Sequence, residues 1–216
     1  MTTSPASAFS PHEELAAALL PHATEGDDGS HDLAHLLRVF RNAMRIHAAE
    51  GGDGRLLAAA VLLHDCVAVE KSSPLRAQAS RLASEKAAGI LRAMGWEELR
   101  ISAVAHAITA HSFSANIAPE TLEARILQDA DRLDAIGMMG AARCFYIAGR
   151  MSSGLYDPSD PLAKERPLDD SRFAIDHFQT KLLKLADGFQ TAAGRALAQE
   201  RHQRLEQVLE LFLDEI

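Results

Sequence analysis

The chain has 216 residues, of which 47% are hydrophobic and 5% aromatic, so its size and composition suit one domain with an aliphatic core. Its formal net charge is −8 and no Lys/Arg-rich block occurs, which argues against an extended nucleic-acid surface. No signal peptide is evident, and no apolar run reaches the roughly 18 residues that a membrane-spanning helix needs. With only two cysteines, Cys66 and Cys144, both in apolar runs, we expect a soluble cytoplasmic protein.

Helical periodicity dominates the chain, starting after a predicted loose tail at residues 1–10. Asp28 and Ser30 are candidate N-caps for the second helix, and Ser73-Pro74 is the predicted start of the fourth. Residues 141–150 either continue the helix before them or form a short successor. Residues 151–169 form the longest segment without periodicity. The predicted helices span residues 12–20 (ended by Pro21), 31–50, 55–67, 74–95, 97–112, 118–140, 171–187 and 191–213.

No sustained alternation of apolar and polar residues and no Asn-Gly hairpin occurs, so the predicted fold class is all-α. We expect a single domain. Residues 1–27 form an N-terminal tail and short helix, residues 28–160 the core, and residues 161–216 C-terminal helices packed on that core. The last helix carries an apolar face that can pack against a partner or form a homodimer: Leu205, Val208, Leu209, Leu211 and Phe212.

Histidine and aspartate side chains occur in three apolar stretches. His64-Asp65 ends the run 56–63, His35 lies in the second predicted helix, and Asp131 lies in the sixth. An imidazole beside a carboxylate at the end of a buried run is costly to desolvate unless it is paired or bound to a metal. Nitrogen and carboxylate groups without thiolates suit Mn, Mg, Co, Ni, Fe or Zn, so the three stretches are candidates to meet at one divalent ion.

Each residue alone also has an ordinary structural interpretation. His31 and His35 can be surface or capping residues four apart on a helix, and Asp32, which follows His31, rules out the His-Glu-x-x-His zinc motif. Asp131 and Asp134 can be surface ion pairs beside Arg132. The combination of all three stretches in one small helical domain favours the metal site.

The order His35 … His64-Asp65 … Asp131 resembles that of the HD superfamily of metal-dependent phosphohydrolases. The flanking motifs resemble its small stand-alone bacterial branch: His35-x-x-Arg38-Val39, Leu62-Leu63-His64-Asp65, Asp129-Ala130-Asp131-Arg132-Leu133-Asp134-Ala135-Ile136-Gly137, Ser30-His31-Asp32, Ser73-Pro74-Leu75-Arg76 and Ile108-x-x-His111-Ser112.

This resemblance implies an α-helical HD domain with one divalent metal held by His35, His64, Asp65 and Asp131. Characterised relatives in the branch cleave nucleoside or deoxynucleoside triphosphates to the monophosphate and pyrophosphate, so we expect a metal-dependent phosphohydrolase whose substrate is a phosphorylated small molecule, a nucleotide above all. The alternatives are a non-catalytic nucleotide-sensing or partner-binding domain, a phosphomonoesterase or a cyclic phosphodiesterase.

Two-metal HD oxygenases need two further histidines from separate helices. Here only His106 and His111 lie between Asp65 and Asp131, five apart on one helix, which favours a single metal.

Asp65 and His111 are the predicted catalytic residues, although a histidine at a helix C-terminus is also favoured by the helix dipole. The alternative for each predicted phosphate-binding cation is an ordinary surface charge. The cationic side chains predicted to bind phosphate are Arg38, Lys71, Arg76 and Arg132. We also expect the segment 151–169 to cover part of the cleft, with Tyr156 and Lys164 reaching a bound nucleotide.

Overall fold

The structure is a computed structural model that describes residues 4–23, 32–69, 78–112 and 115–216. Over these residues the fold is all-α, as predicted, and its one β-type pairing is an isolated bridge between Gly154 and Phe173. No helix in the described ranges combines the length and apolarity that crossing a membrane requires. The α-helices are α1 (Glu13–Ala23), α2 (Leu33–Glu50), α3 (Gly54–Leu63), α4 (Ala79–Ala93), α5 (Glu98–His111), α6 (Leu122–Asp134), α7 (Gly137–Arg150), α8 (Ala174–Thr180) and α9 (Ala192–Asp214).

The chain divides into two compact units, residues 1–131 and residues 132–216. This division falls at Asp131, whereas the sequence suggested that the core extends to about residue 160; the single-domain organisation stays a prediction. In the first unit α3 is central, because it packs against α1, α2, α4 and α5. Residues 56–63 of α3 are all buried, as expected of a helix that is apolar on every side.

The N-terminal region differs from the predicted loose tail. Pro5–Phe9 is a 3-10 helix, and Phe9 is fully buried, with its ring edge-on to Phe40 at 5.0 Å. Helix α1 also continues past Pro21 to Ala23, although proline has no N–H to donate to the carbonyl one turn earlier. The prediction of a tail was therefore wrong for residues 5–9.

Several helix boundaries also differ. Helix α2 has Asp32 as its N-cap, and the predicted caps Asp28 and Ser30 lie outside the described residues, as does Ser73-Pro74. Helix α3 ends at Leu63 rather than near residue 67. The predicted helix 118–140 is two helices, because the chain turns after Asp134 and resumes at Gly137, whose φ is +72°. The predicted helix 171–187 is α8 followed by the 3-10 helix Leu182–Gly188.

In the second unit α7 packs against α8 and α9. Phe212 of α9 stacks on Phe145 of α7 at 5.4 Å, so part of the apolar face that was a candidate for a partner is covered within this unit. Arg166 orders the segment before α8 by donating to both carboxylate oxygens of buried Asp176, at 2.5 and 2.9 Å. Cys66 and Cys144 are both buried, and they are not linked by a disulfide bond.

Candidate metal centre

Five side chains of the first unit converge, and we call them the His–Asp cluster: His35, His64, Asp65, His111 and Asp131. They come from different elements. His35 lies in the first turn of α2, where the Asp32 carboxylate accepts its backbone N–H at 2.8 Å. Asp131 lies on α6. The cap at Asp32 therefore fixes the turn of helix that carries the first histidine of the cluster.

His64 and His111 are held in the same way, each at the end of a helix. His64 follows α3 and its Nδ1 lies 2.8 Å from the Val61 carbonyl oxygen; His111 ends α5 and its Nδ1 lies 2.5 Å from that of Ile108. A carbonyl oxygen can only accept, so each Nδ1 carries the proton and donates it. In the neutral ring, each Nε2 is then left with its lone pair, the form that binds a metal or accepts a hydrogen bond.

The Nε2 atoms of His35 and His64 are 3.3 Å apart. Asp65 Oδ2 lies 3.6 Å from the first and 3.4 Å from the second, and Asp131 Oδ1 lies 3.7 and 3.9 Å from them. His111 Nε2 lies 3.8 Å from Asp65 Oδ1. The described residues thus contain two overlapping groups that can hold an ion, His35–His64–Asp131 and His64–Asp65–His111, with ligand atoms within 4.8 Å of one another.

Burial gives the cluster a closed base and an open side. His35 and His64 are each 1% exposed and His111 6%, whereas the side chains of Asp65 and Asp131 are each 29% exposed. Burial, and then the neighbouring His64, lowers the pKa of His111. The cluster combines two carboxylates with imidazole nitrogens and contains no arginine or lysine, so a divalent cation would offset its negative charge. The residues present therefore fit a divalent metal.

The predicted metal ligands and His111 are thus brought together, whereas His106 is not part of the cluster: its Nε2 accepts the backbone N–H of Glu120 at 3.0 Å. Asp134 is also used elsewhere, because it is fully buried and pairs with Arg143 at 3.1 Å.

The predicted phosphate-binding cations have different surroundings. Arg38 is partly buried on α2, one turn beyond His35. Arg132 Nη1 donates to the Gly188 carbonyl oxygen, so this guanidinium has a structural contact in the second unit. Lys71 and Arg76 lie outside the described residues. Tyr156, proposed to reach a nucleotide, packs edge-on against Phe212, with ring centroids 5.9 Å apart. The substrate-binding roles of all four cations stay predictions.

Two buried carboxamides that sequence reasoning did not single out lie next to the cluster. Asn42 Nδ2 donates to the carbonyl of Ala130, and Gln128 Nε2 donates to that of Ala110. Each of these two carbonyls belongs to the residue directly before a member of the cluster, because Ala130 precedes Asp131 and Ala110 precedes His111. No residue pattern in the sequence marks such a contact, because any side-chain donor of the right length can make it.

The comparisons with known proteins agree with this geometry. The HD domain family model matches residues 32–136, which include every member of the cluster. YpgQ of Bacillus subtilis is 35% identical over 180 residues, 82% of this chain and 80% of that protein.

Solved structures extend the match to almost the whole chain. An HD-superfamily hydrolase from Bacillus thuringiensis is 31% identical, with a TM-score of 0.72 over 94% of this chain and 97% of that one. The crystal structure of Bacillus subtilis YpgQ in complex with ADP is 29% identical, with a TM-score of 0.70 over 99% and 97% of the two chains. This chain therefore belongs to the HD superfamily, among the small bacterial proteins that resemble YpgQ.

Proposed function

We propose that this protein is a metal-dependent phosphohydrolase that cleaves nucleoside or deoxynucleoside triphosphates to the monophosphate and pyrophosphate. The observation that carries the proposal is the convergence of two imidazole Nε2 atoms and two carboxylates, with contacts of 3.3 to 3.9 Å. Among the described residues of this site, the imidazoles are buried and the carboxylates are partly exposed to solvent. Membership of a superfamily that contains hydrolases supports the same reaction class.

His35, His64, Asp65 and Asp131 are the residues that would hold one divalent ion, and their nitrogen and oxygen donors suit Mn, Mg, Co, Ni, Fe or Zn. When bound, such an ion would act as a Lewis acid that polarises a phosphoryl oxygen and lowers the pKa of a bound water towards about 7. Its charge also permits an anionic substrate to approach two carboxylates of a protein whose net charge is −8.

Within this proposal His111 and Asp65 handle the attacking water. With its Nδ1 proton committed to the Ile108 carbonyl, neutral His111 offers Nε2 as an acceptor 3.8 Å from Asp65 Oδ1. A water held between these two groups has one acceptor on each side, which orients its lone pair and allows a proton to leave as the oxygen attacks. Asp65 would thus serve both the metal and the water.

Attack at the α-phosphorus releases pyrophosphate, the best leaving group of a triphosphate, and negative charge then accumulates on the β- and γ-phosphates. Arg38, one turn beyond His35, is the described residue that we assign to these phosphates; Lys71 and Arg76 are assigned from sequence alone. Arg132 is less well suited to bind these phosphates, because its Nη1 already donates to the Gly188 carbonyl oxygen.

A nucleotide is the proposed substrate class because YpgQ, a relative whose structure aligns with 99% of this chain, was crystallised in complex with ADP. ADP carries an adenosine and a phosphoanhydride, the two parts that a pyrophosphate-releasing hydrolase must accommodate.

The test is a screen of nucleoside and deoxynucleoside triphosphates with Mn²⁺ or Co²⁺ in water enriched in oxygen-18, with phosphorus NMR and mass spectrometry of the products. We expect the monophosphate and pyrophosphate, with the label on the monophosphate. Free phosphate with a diphosphate left behind, or label in the pyrophosphate, would exclude attack at the α-phosphorus. Metal binding without turnover of any nucleotide would favour the sensing alternative.

A matched pair of histidines on α5 provides the control. His111→Ala should lower kcat by about 10²- to 10⁴-fold, the usual contribution of acid–base groups. His106→Ala, five residues earlier on the same helix, should leave kcat near the wild-type value because His106 accepts from the main chain of Glu120 instead. Equal kcat values in the two variants would remove His111 from the mechanism.

A further inference from the structure

The C-terminal end of α5, which carries His111, is attached to α6 by one buried side chain. Gln128 is 3% exposed, and its Nε2 donates to the carbonyl oxygen of Ala110 at 2.7 Å. Ala110 directly precedes His111. Gln128 in turn lies three residues before Asp131, on the same face of α6. One hydrogen bond therefore connects the peptide unit before His111 to the helix turn that carries Asp131.

A second contact of α6, with α2, does not depend on Gln128. Asn42 of α2, two turns beyond His35, donates to the Ala130 carbonyl at 3.1 Å and holds α6 against α2. Removing the Gln128 amide should therefore leave Asp131 in place relative to His35. What it frees is the end of α5, and with it the ring of His111.

Glutamine at position 128 lowers the stability of the fold in a way that an apolar residue would not. Its Oε1 is buried and has no hydrogen-bond partner among the described residues. A buried acceptor without a partner is destabilising, and an apolar side chain of similar shape avoids this penalty. Methionine matches glutamine in length and lacks both polar atoms. The contribution that only glutamine makes here is the hydrogen bond to Ala110.

We propose that Gln128 is a positioning residue that acts through His111: it fixes the end of α5 so that His111 Nε2 faces Asp65. The inference rests on the proposed function for its kinetic consequence, but not for its structural one. Gln128 touches neither the reacting atoms nor the metal in this scheme. Its effect should therefore disappear when His111 is absent.

The experiment is a double-mutant cycle between Gln128→Met and His111→Ala, with nucleotide turnover measured as kcat and KM. Gln128→Met should lower kcat by about 10- to 100-fold, as misplacement of a catalytic group by about 1 Å does, and leave KM unchanged. In the His111→Ala background the same substitution should change kcat by less than about twofold. An equal loss in both backgrounds, or no loss in the first, would overturn the proposal.

A readout without turnover keeps the inference separate from the proposed function. In the metal-free protein, the His111 Nδ1 proton donated to Ile108 should give an exchange-protected proton signal in spectra of nitrogen-15-histidine-labelled protein. Gln128→Met should speed the exchange of this proton, while Co²⁺ affinity changes by less than about threefold. If wild-type protein hydrolyses no nucleotide, the proposed function fails, whereas unchanged exchange in Gln128→Met refutes the inference.

Gln179→Met is the matched control, because Gln179 Nε2 also donates to a carbonyl, that of Leu162 at 3.1 Å, in the second unit. It should leave kcat and the His111 signal as they are in the wild type. Urea unfolding of the metal-free variants completes the test. Gln128→Met removes the unpartnered acceptor Oε1 but also takes the donor away from the Ala110 carbonyl, so the two effects oppose each other and its urea midpoint should stay close to that of the wild type. Failure to fold, or a midpoint far below that of the wild type, would show that the amide supports the fold as a whole and would overturn the positioning role.

Discussion

Replacing Asp131 with asparagine should change the stability of the first unit in opposite directions in the absence and presence of a divalent metal. Asp65 Oδ2 and Asp131 Oδ1 lie 3.6 and 3.7 Å from the same atom, His35 Nε2, and are therefore at most about 7 Å apart. The cluster contains no arginine or lysine that would offset this pair of negative charges. Without a cation, the two carboxylates destabilise the folded chain.

The magnitude follows from the separation and the exposure. Two charges about 7 Å apart repel by about 2 kcal/mol at an effective dielectric constant of about 20, and partial exposure of both side chains reduces this to about 1 kcal/mol. Asp131→Asn should therefore stabilise the metal-free protein by about 1 kcal/mol. In wild-type protein, metal at 100 times its dissociation constant adds about 2.7 kcal/mol, and a 100-fold weaker site would gain only about 0.4 kcal/mol. With metal, Asp131→Asn should be less stable than wild type by at least about 1 kcal/mol.

Urea unfolding followed by the fluorescence of Trp96 is the assay, because this single tryptophan lies in the unit that holds the cluster. Wild-type and variant proteins are compared at pH 8 with EDTA and with Mn²⁺. Glu85→Gln is the matched control, since Glu85 is an exposed carboxylate of the same unit that pairs with Arg81. If Asp131→Asn lowers stability in EDTA, or if Mn²⁺ stabilises both proteins equally, the four residues do not form a cation site.

Three further predictions concern other parts of the chain. Asp32→Ala should lower the free energy of unfolding by about 1 kcal/mol and weaken Mn²⁺ binding in calorimetry, because the lost N-cap frees the turn that carries His35. Lys164→Ala should raise KM with kcat unchanged if the segment around it covers the nucleotide; unchanged KM would reduce it to a surface loop. Burial raises the pKa of Asp176, but hydrogen bonds from Arg166 and a backbone N–H outweigh this and lower it. Its stabilising contribution is therefore complete above an unfolded pKa of about 3.9 and is lost as the pH falls below it, so urea midpoints should fall less steeply between about pH 5 and 3 in Asp176→Asn than in wild type.

Helical periodicity predicted most of the helices, but the end of α3 could not be read from the sequence. After the polar pair His64-Asp65 the chain is apolar again from Cys66 to Val69, and it contains no glycine or proline there. The helix ends because the chain turns at His64 and Asp65 to bring both side chains to the cluster, and because His64 Nδ1 takes the Val61 carbonyl. Tertiary contacts thus override local propensity at the site itself.

Composition misled the prediction at the N-terminus. Serine, threonine, proline and alanine around residue 5 indicated a loose tail, yet Phe9 is fully buried against Phe40. A single aromatic side chain can anchor a short segment if a partner from a distant helix is available. The sequence gives no sign of which of its aromatic residues will be that partner.

Arg132 shows why adjacency to a predicted ligand is weak support for a role in the site. Consecutive helical residues point about 100° apart, so Arg132 is directed away from the face of α6 that carries Asp131. Its Nη1 donates to Gly188, where a Cβ would come within 2.6 Å of the same nitrogen. A side chain at position 188 would therefore displace this guanidinium, a constraint that appears only when the two segments are seen together.

A sequence reveals some parts of a metal centre and conceals others. Side chains that would bind the ion must be imidazoles or carboxylates, so His35, His64, Asp65 and Asp131 leave a recognisable order of residue types along the chain. Groups that position them act on main-chain carbonyls, which every residue has, and Asn42 or Gln128 can do so wherever the helices bring a donor within reach. The residue types that would bind the ion can therefore be predicted from the sequence, whereas the contacts that position them depend on how the helices pack.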